Sequence, residues 1–161
     1  GLCVSCQLGI SGFDTHQNHD TDHFESMAEI TDLVTFIFDT AEEGGFADKI
    51  VITLGSDFGR KPYYNPGGGK DHWPIGSAMF IQQGAAWGNR VVGATDDLHN
   101  ALKISPSSLQ VDSSNAGVGL EPKHLQQAIR ELAGVDKSAA AMQFPLDAED
   151  IDFFSSSKQT L

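Results

Sequence analysis

Two short polar stretches carry most of the groups in this chain that can do chemistry. The first holds Asp14, His16 and His19, one carboxylate and two imidazoles within six residues. These are the donor types that zinc, manganese and iron sites use. Asp14-Thr15 can equally open a local turn, with the carboxylate accepting backbone N–H bonds, and both readings stand at this level. The second stretch holds Asp57 and Arg60 in Ser56-Asp57-Phe58-Gly59-Arg60, followed by His72 behind Gly67-Gly68-Gly69-Lys70-Asp71. A carboxylate there can coordinate a cation, while a guanidinium can grip a phosphate, sulfate or carboxylate through two parallel bonds. An internal Asp57–Arg60 ion pair that pins the loop is the structural alternative. His72 is a further candidate ligand, with Trp73 expected beneath its ring and Asp71 placed to orient it. The three glycines lack the Lys-Ser/Thr ending of a phosphate-binding loop and read as a close-packed or flexible lead-in. His23, His99 and His124 read as surface residues. There is no Gly-x-Ser-x-Gly elbow, so a serine hydrolase within this chain is not expected.

The elements that must hold these loops follow from periodicity. Leu2 to Ile10 reads as a mostly buried strand. Cys3 and Cys6 sit on it with side chains on opposite faces, which favours buried thiols over a disulfide, a metal site or a redox pair. From His23 to Glu43 the residues Met27, Ile30, Val34, Ile37, Phe38 and Ala41 recur three and four apart, which predicts an amphipathic helix ended by Gly44-Gly45. Lys49 to Leu54 is apolar and β-branched, like a strand covered on both faces. Strand, helix, strand in that order implies a right-handed crossover and a parallel pair. Both polar clusters then fall just beyond strand ends, where ligands bind in such sheets. Ser77 to Gln82 and Arg90 to Gly93 suggest a peripheral hairpin or two short strands. Pro122 to Leu132 predicts a short helix with Gly134 past its end. The expected organisation is one domain portion over 1–154 and a frayed tail over 155–161.

Composition narrows the partners. The 161 residues include 17 glycines, with 40% hydrophobic and 20% charged residues, which is globular and loop-rich rather than disordered. Ten basic residues against 22 acidic ones give a net charge of -12, which disfavours nucleic acid and anionic membrane as partners. No apolar run is long enough to span a bilayer. The start, Gly1 running directly into an apolar segment, reads as a processed or truncated product.

Gly12-Phe13-Asp14-Thr15-His16, Ser56-Asp57-Phe58-Gly59-Arg60-Lys61-Pro62, Gly68-Gly69-Lys70-Asp71-His72-Trp73-Pro74 and Val92-Gly93-Ala94-Thr95-Asp96 occur in an order that resembles one family. It is the sulfatase-like bacterial proteins called domain of unknown function family 1501, placed in the alkaline phosphatase superfamily. The likeness runs from about Gly9 to Asp96, loosely to Val135, and covers the later part of such proteins. It implies a three-layer α/β domain with a mostly parallel sheet, two divalent metals (zinc, manganese or calcium) and hydrolysis of phosphate or sulfate esters. It further implies that Asp14 and a nearby histidine, His16 or His19, join His72 around one metal, that Asp57 serves the second, and that Arg60 holds the anionic group. The second metal normally takes a histidine directly after the Asp, where this chain has Phe58. The half expected to carry another metal-binding Asp and the nucleophile is not among these residues.

Two functions follow as expectations. One is a non-catalytic or degenerate sulfatase-like subunit, acting in binding or assembly with another chain or with the missing amino-terminal half. The other is a divalent-metal-dependent ester hydrolase completed by residues outside this chain, with a small anionic ligand. The resemblance also implies export in a bacterium, to the periplasm or beyond.

Overall fold

Between Asn18 and Gly44 the chain contains neither glycine nor proline, so nothing interrupts a helical ladder there. In the computed structural model, which describes residues 5–114 and 116–155, this stretch forms α1 (His19–Glu43). The helix begins a turn earlier than the apolar periodicity indicates. His19 and His23 therefore lie four residues apart on one face, with rings stacked at 4.8 Å. Asp20 and Asp22 occupy the first turn, where the exposed N–H groups favour negative charge. At the other end the N–H of Phe46 bonds the carbonyl of Ala41 and that of Gly45 bonds Glu42. This is the paired closure that needs a left-handed residue after the cap, and Gly45 supplies it at φ 70°.

Four short strands come next: β1 (Ile52–Gly55), β2 (Gly59–Arg60), β3 (His72–Trp73) and β4 (Ala78–Ile81). β1 pairs antiparallel with β4, Ile52 opposite Ile81, and β2 pairs antiparallel with β3, Arg60 opposite His72. The expected three-layer α/β domain with a mostly parallel sheet is therefore overturned: among the described residues there are two two-stranded antiparallel sheets. The cause lies in the pairing partners. Residues 5–10 of the expected first strand lie outside any ladder, so among the described residues β1 has no parallel neighbour and bonds the segment that returns to it after the polar loop. Nor is β1 covered on both faces, since its residues alternate between half-buried and exposed. Ser77 to Gln82 does contain a strand, whereas Arg90 to Gly93 does not. Cys6 is exposed rather than buried, and Cys3 lies outside the described residues, as do 156–161 of the expected tail.

The chain divides into two compact units, Gly1–Gln83 and Gly84–Leu161. In the second, Ile104, Leu109, Ala128, Ile151 and Phe153 form a buried cluster, with Val92, Val118, Leu120, Leu125 and Phe154 packed against it. Ala128 comes from α2 (Pro122–Leu132), and a short α3 (Ala139–Gln143) follows. No helix of the described residues is long and apolar enough to cross a membrane.

His124, expected on the surface, is instead one of the largest fully buried side chains. Its Nδ1 accepts the N–H of Glu121 at 2.9 Å, which caps α2 from within. The proton of the neutral ring is then on Nε2, which faces Glu149 Oε2 at 2.7 Å. Isolated histidine in sequence conceals this role, because the capping partner is the backbone and the carboxylate is 25 positions away. Replacing His124 with Ala strips a cap and leaves a polar pair unmade, so unfolding in urea is expected to show a loss of about 1–3 kcal/mol. An unchanged midpoint would contradict this role.

Candidate metal centre

The polar loop before α1 and the glycine loop before β3 are tied together by backbone bonds. Lys70 N–H donates to Thr15 O at 2.9 Å, and His19 N–H donates to Gly68 O at 3.2 Å. The two loops come so close that a Cβ at Gly69 would lie 1.9 Å from the carbonyl carbon of His16, a place only glycine can occupy. Asn65 closes the glycine loop from inside: its Oδ1 accepts the N–H groups of Gly67 and Gly69 at 2.9 and 3.0 Å, while its Nδ2 donates to His16 O at 3.1 Å.

Arg60 fastens the same two loops from the β2 side. One of its nitrogens donates to Lys70 O at 2.9 Å, and the other to Phe13 O at 2.8 Å and to Asp14 Oδ1 at 2.6 Å. The side chain is only 14% exposed. Its ion pair is with Asp14 and not with Asp57. These three bonds use three of the five guanidinium N–H groups and fix the Asp14 carboxylate in place.

The β2–β3 register sets His72 opposite Arg60, so both side chains arrive at Asp14. His72 Nε2 lies 2.9 Å from Asp14 Oδ1, His16 Nε2 lies 3.1 Å from the same oxygen, and the two Nε2 atoms are 3.1 Å apart. All three residues are exposed, so the cluster opens to solvent. A tetrahedral zinc ion with bonds of about 2.0–2.1 Å sets its ligand atoms roughly 3.3 Å apart, close to the edges of this triangle. Two imidazole nitrogens and a carboxylate oxygen so close together also fit a transition metal better than calcium, which takes six to eight oxygens.

The other candidates lie elsewhere. His19 is buried on α1; its Nδ1 shares a 2.6 Å hydrogen bond with the hydroxyl of Thr15. Burial first, and then the neighbouring His23, push its pKa below the usual imidazole value. His23 is half-buried rather than a surface residue, and its Nδ1 is buried without a hydrogen-bond partner. Asp57 is exposed and stands apart from the cluster formed by Asp14, His16 and His72. The ring packed against His72 is that of Phe58, with centroids 4.0 Å apart and planes tilted by 32°, and not that of Trp73. Asp71 turns to His16 instead of His72, its Oδ1 lying 3.4 Å from Nδ1. Asn65 and buried Thr15 were missed as site residues, although Asn65-Pro66-Gly67 is a recognisable turn signature.

Hydrogen bonds from Arg60 and then His72 hold the Asp14 carboxyl down at about 2, from an ordinary 3.8. For a carboxyl depressed by folding, the contribution to stability is complete above its unfolded value and disappears as pH falls through the folded one. The loop junction is thus expected to keep its Asp14 attraction above about pH 4 and to lose it towards about pH 2. A carbon-13 titration of the Asp14 carboxyl checks this. Arg60→Lys, which loses the fork, should raise the midpoint, and an ordinary midpoint in the wild-type protein would contradict the assignment.

The family described as Protein of unknown function (DUF1501) matches the chain over residues 3–141. No curated protein and no solved structure matches it.

Proposed function

The chain belongs to the DUF1501 family, and on that premise we propose that Asp14, His16 and His72 bind one divalent cation, zinc or manganese, for the hydrolysis of phosphate or sulfate esters. The observation that carries the reading is the triangle of Asp14 Oδ1 and the two Nε2 atoms, with edges of 2.9 and 3.1 Å. Three electron-pair donors so close together attract a cation, and three protein ligands leave a coordination position for water or substrate. When bound, the cation supplies Lewis-acid polarisation of an ester oxygen and activation of water. Arg60 fixes the Asp14 carboxylate and keeps it ionised. Phe58 shields one face of the His72 ring. Thr15 is buried against His19, so its hydroxyl is not placed to attack an ester. The likeness to sulfatase-like hydrolases, exported proteins of bacteria, supports the ester class and the periplasmic or extracellular setting.

A second reading is a subunit that binds metal without turnover and serves in assembly with another chain. It is favoured by Asp57, which stands apart from the cluster, and by Phe58, which has no ligand atom for a second metal.

Elemental analysis after dialysis against zinc or manganese is expected to find one metal per chain, with calcium failing to compete. Asp14→Asn and His72→Ala should each weaken binding at least about tenfold, whereas Asp57→Asn should leave it unchanged. Retention of wild-type affinity by Asp14→Asn would sink the ligand set. Aryl phosphate and aryl sulfate turnover by the full-length protein then separates the two readings: metal-dependent release supports the hydrolase, and bound metal with no release supports the assembly subunit.

A further inference from the structure

An imidazole offers a metal only the ring nitrogen that carries no proton, so the partner of the other nitrogen decides whether the ligand is ready. For His16 that partner is a carboxylate. Asp71 Oδ1 lies 3.4 Å from His16 Nδ1, and an ionised carboxylate can only accept. His16 Nε2 stands 3.1 Å from Asp14 Oδ1 as an ion-pair contact and is hydrogen-bonded to His72 Nε2 at 3.1 Å. His72 Nε2 carries the proton it donates to Asp14 at 2.9 Å, so His16 Nε2 is the acceptor of that pair, and the His16 proton belongs on Nδ1, towards Asp71. Asp71 is itself anchored: Asn65 Nδ2 donates to the same Oδ1 at 2.9 Å, and Lys61 Nζ lies 3.6 Å from Oδ2. Asn65 reaches His16 a second time through the carbonyl oxygen at 3.1 Å. Ring and backbone of His16 are thus both referred to one amide side chain.

We propose that Asp71, clamped by Asn65, is a positioning residue that sets the His16 ring in its metal-binding tautomer before any cation arrives. The proposal rests on the reading of Asp14, His16 and His72 as a ligand set. It assigns His72 no such brace: on its exposed ring the neighbours are Phe58, His16 and Asp14. The two histidines should then respond differently to loss of Asp71.

Nitrogen-15 spectra of the metal-free protein at pH 8 test this directly, alongside zinc titrations and thermal midpoints. In the wild-type protein His16 should carry its proton on Nδ1. In Asp71→Ala the His16 tautomers should mix, His72 should keep its wild-type pattern, and zinc affinity should fall about 10–100-fold. Asn65→Ala should move His16 in the same direction by a smaller amount. Should Asp71→Ala fail to fold, Asp71→Leu keeps a similar volume without an acceptor and should still lose the bias. Wild-type nitrogen shifts for His16 in a folded Asp71 variant would overturn the proposal, as would a lowered thermal midpoint with tautomer and affinity unchanged. A wild-type protein that binds no zinc would refute the ligand reading alone, because the nitrogen shifts still decide whether Asp71 sets the ring.

Discussion

The guanidinium of Arg60 is the joint on which the first unit turns. It binds a carbonyl of the loop before α1, a carbonyl of the loop before β3, and the carboxylate between them. Each bond taken alone is modest in water. Together, at a side chain largely withdrawn from solvent, they satisfy polar groups whose loss would leave two carbonyls without a donor. Asp14 is thereby kept anionic and aimed, and His72 arrives opposite Arg60 through strand register.

This arrangement separates what holds the site from what the site offers. Arg60, Asn65, Gly69 and buried Thr15 and His19 face the loop junction. Asp14, His16 and His72 face outward, into solvent. A site built this way has its donors ready on a surface that another chain or a substrate can reach. The second unit contributes a separate apolar cluster around Ile104 and Ala128, with α2 capped from inside by His124.

Legibility in sequence depended on range. α2 was readable residue for residue, because Pro122, the apolar face and Gly134 are all local signals. α1 was readable except for its first turn, where His19 and Asp20 look like loop chemistry but are helical. Lys49 to Leu54 looked like a central parallel strand because β-branched composition reports burial and extension, not the direction of a neighbour. Its actual partner, Ala78–Ile81, was read as peripheral. The buried position of His124 was hidden for the same reason, since Glu149 supplies its outer partner from a distant segment.

The donor types, the acidic charge, the helix stops at Gly45 and Gly134 and the glycine loop were set by composition and local spacing, because such properties depend on near neighbours along the chain. Which donors meet was decided only by folding. Asp14 and His72 are 58 positions apart, Asp14 and Arg60 are 46 apart, and no periodicity relates them. Their meeting requires the antiparallel β2–β3 register and a glycine narrow enough to let two loops touch. The same geometry turns His19 into the packed base of the junction and leaves Asp57 outside it, although by residue type both were equal candidates.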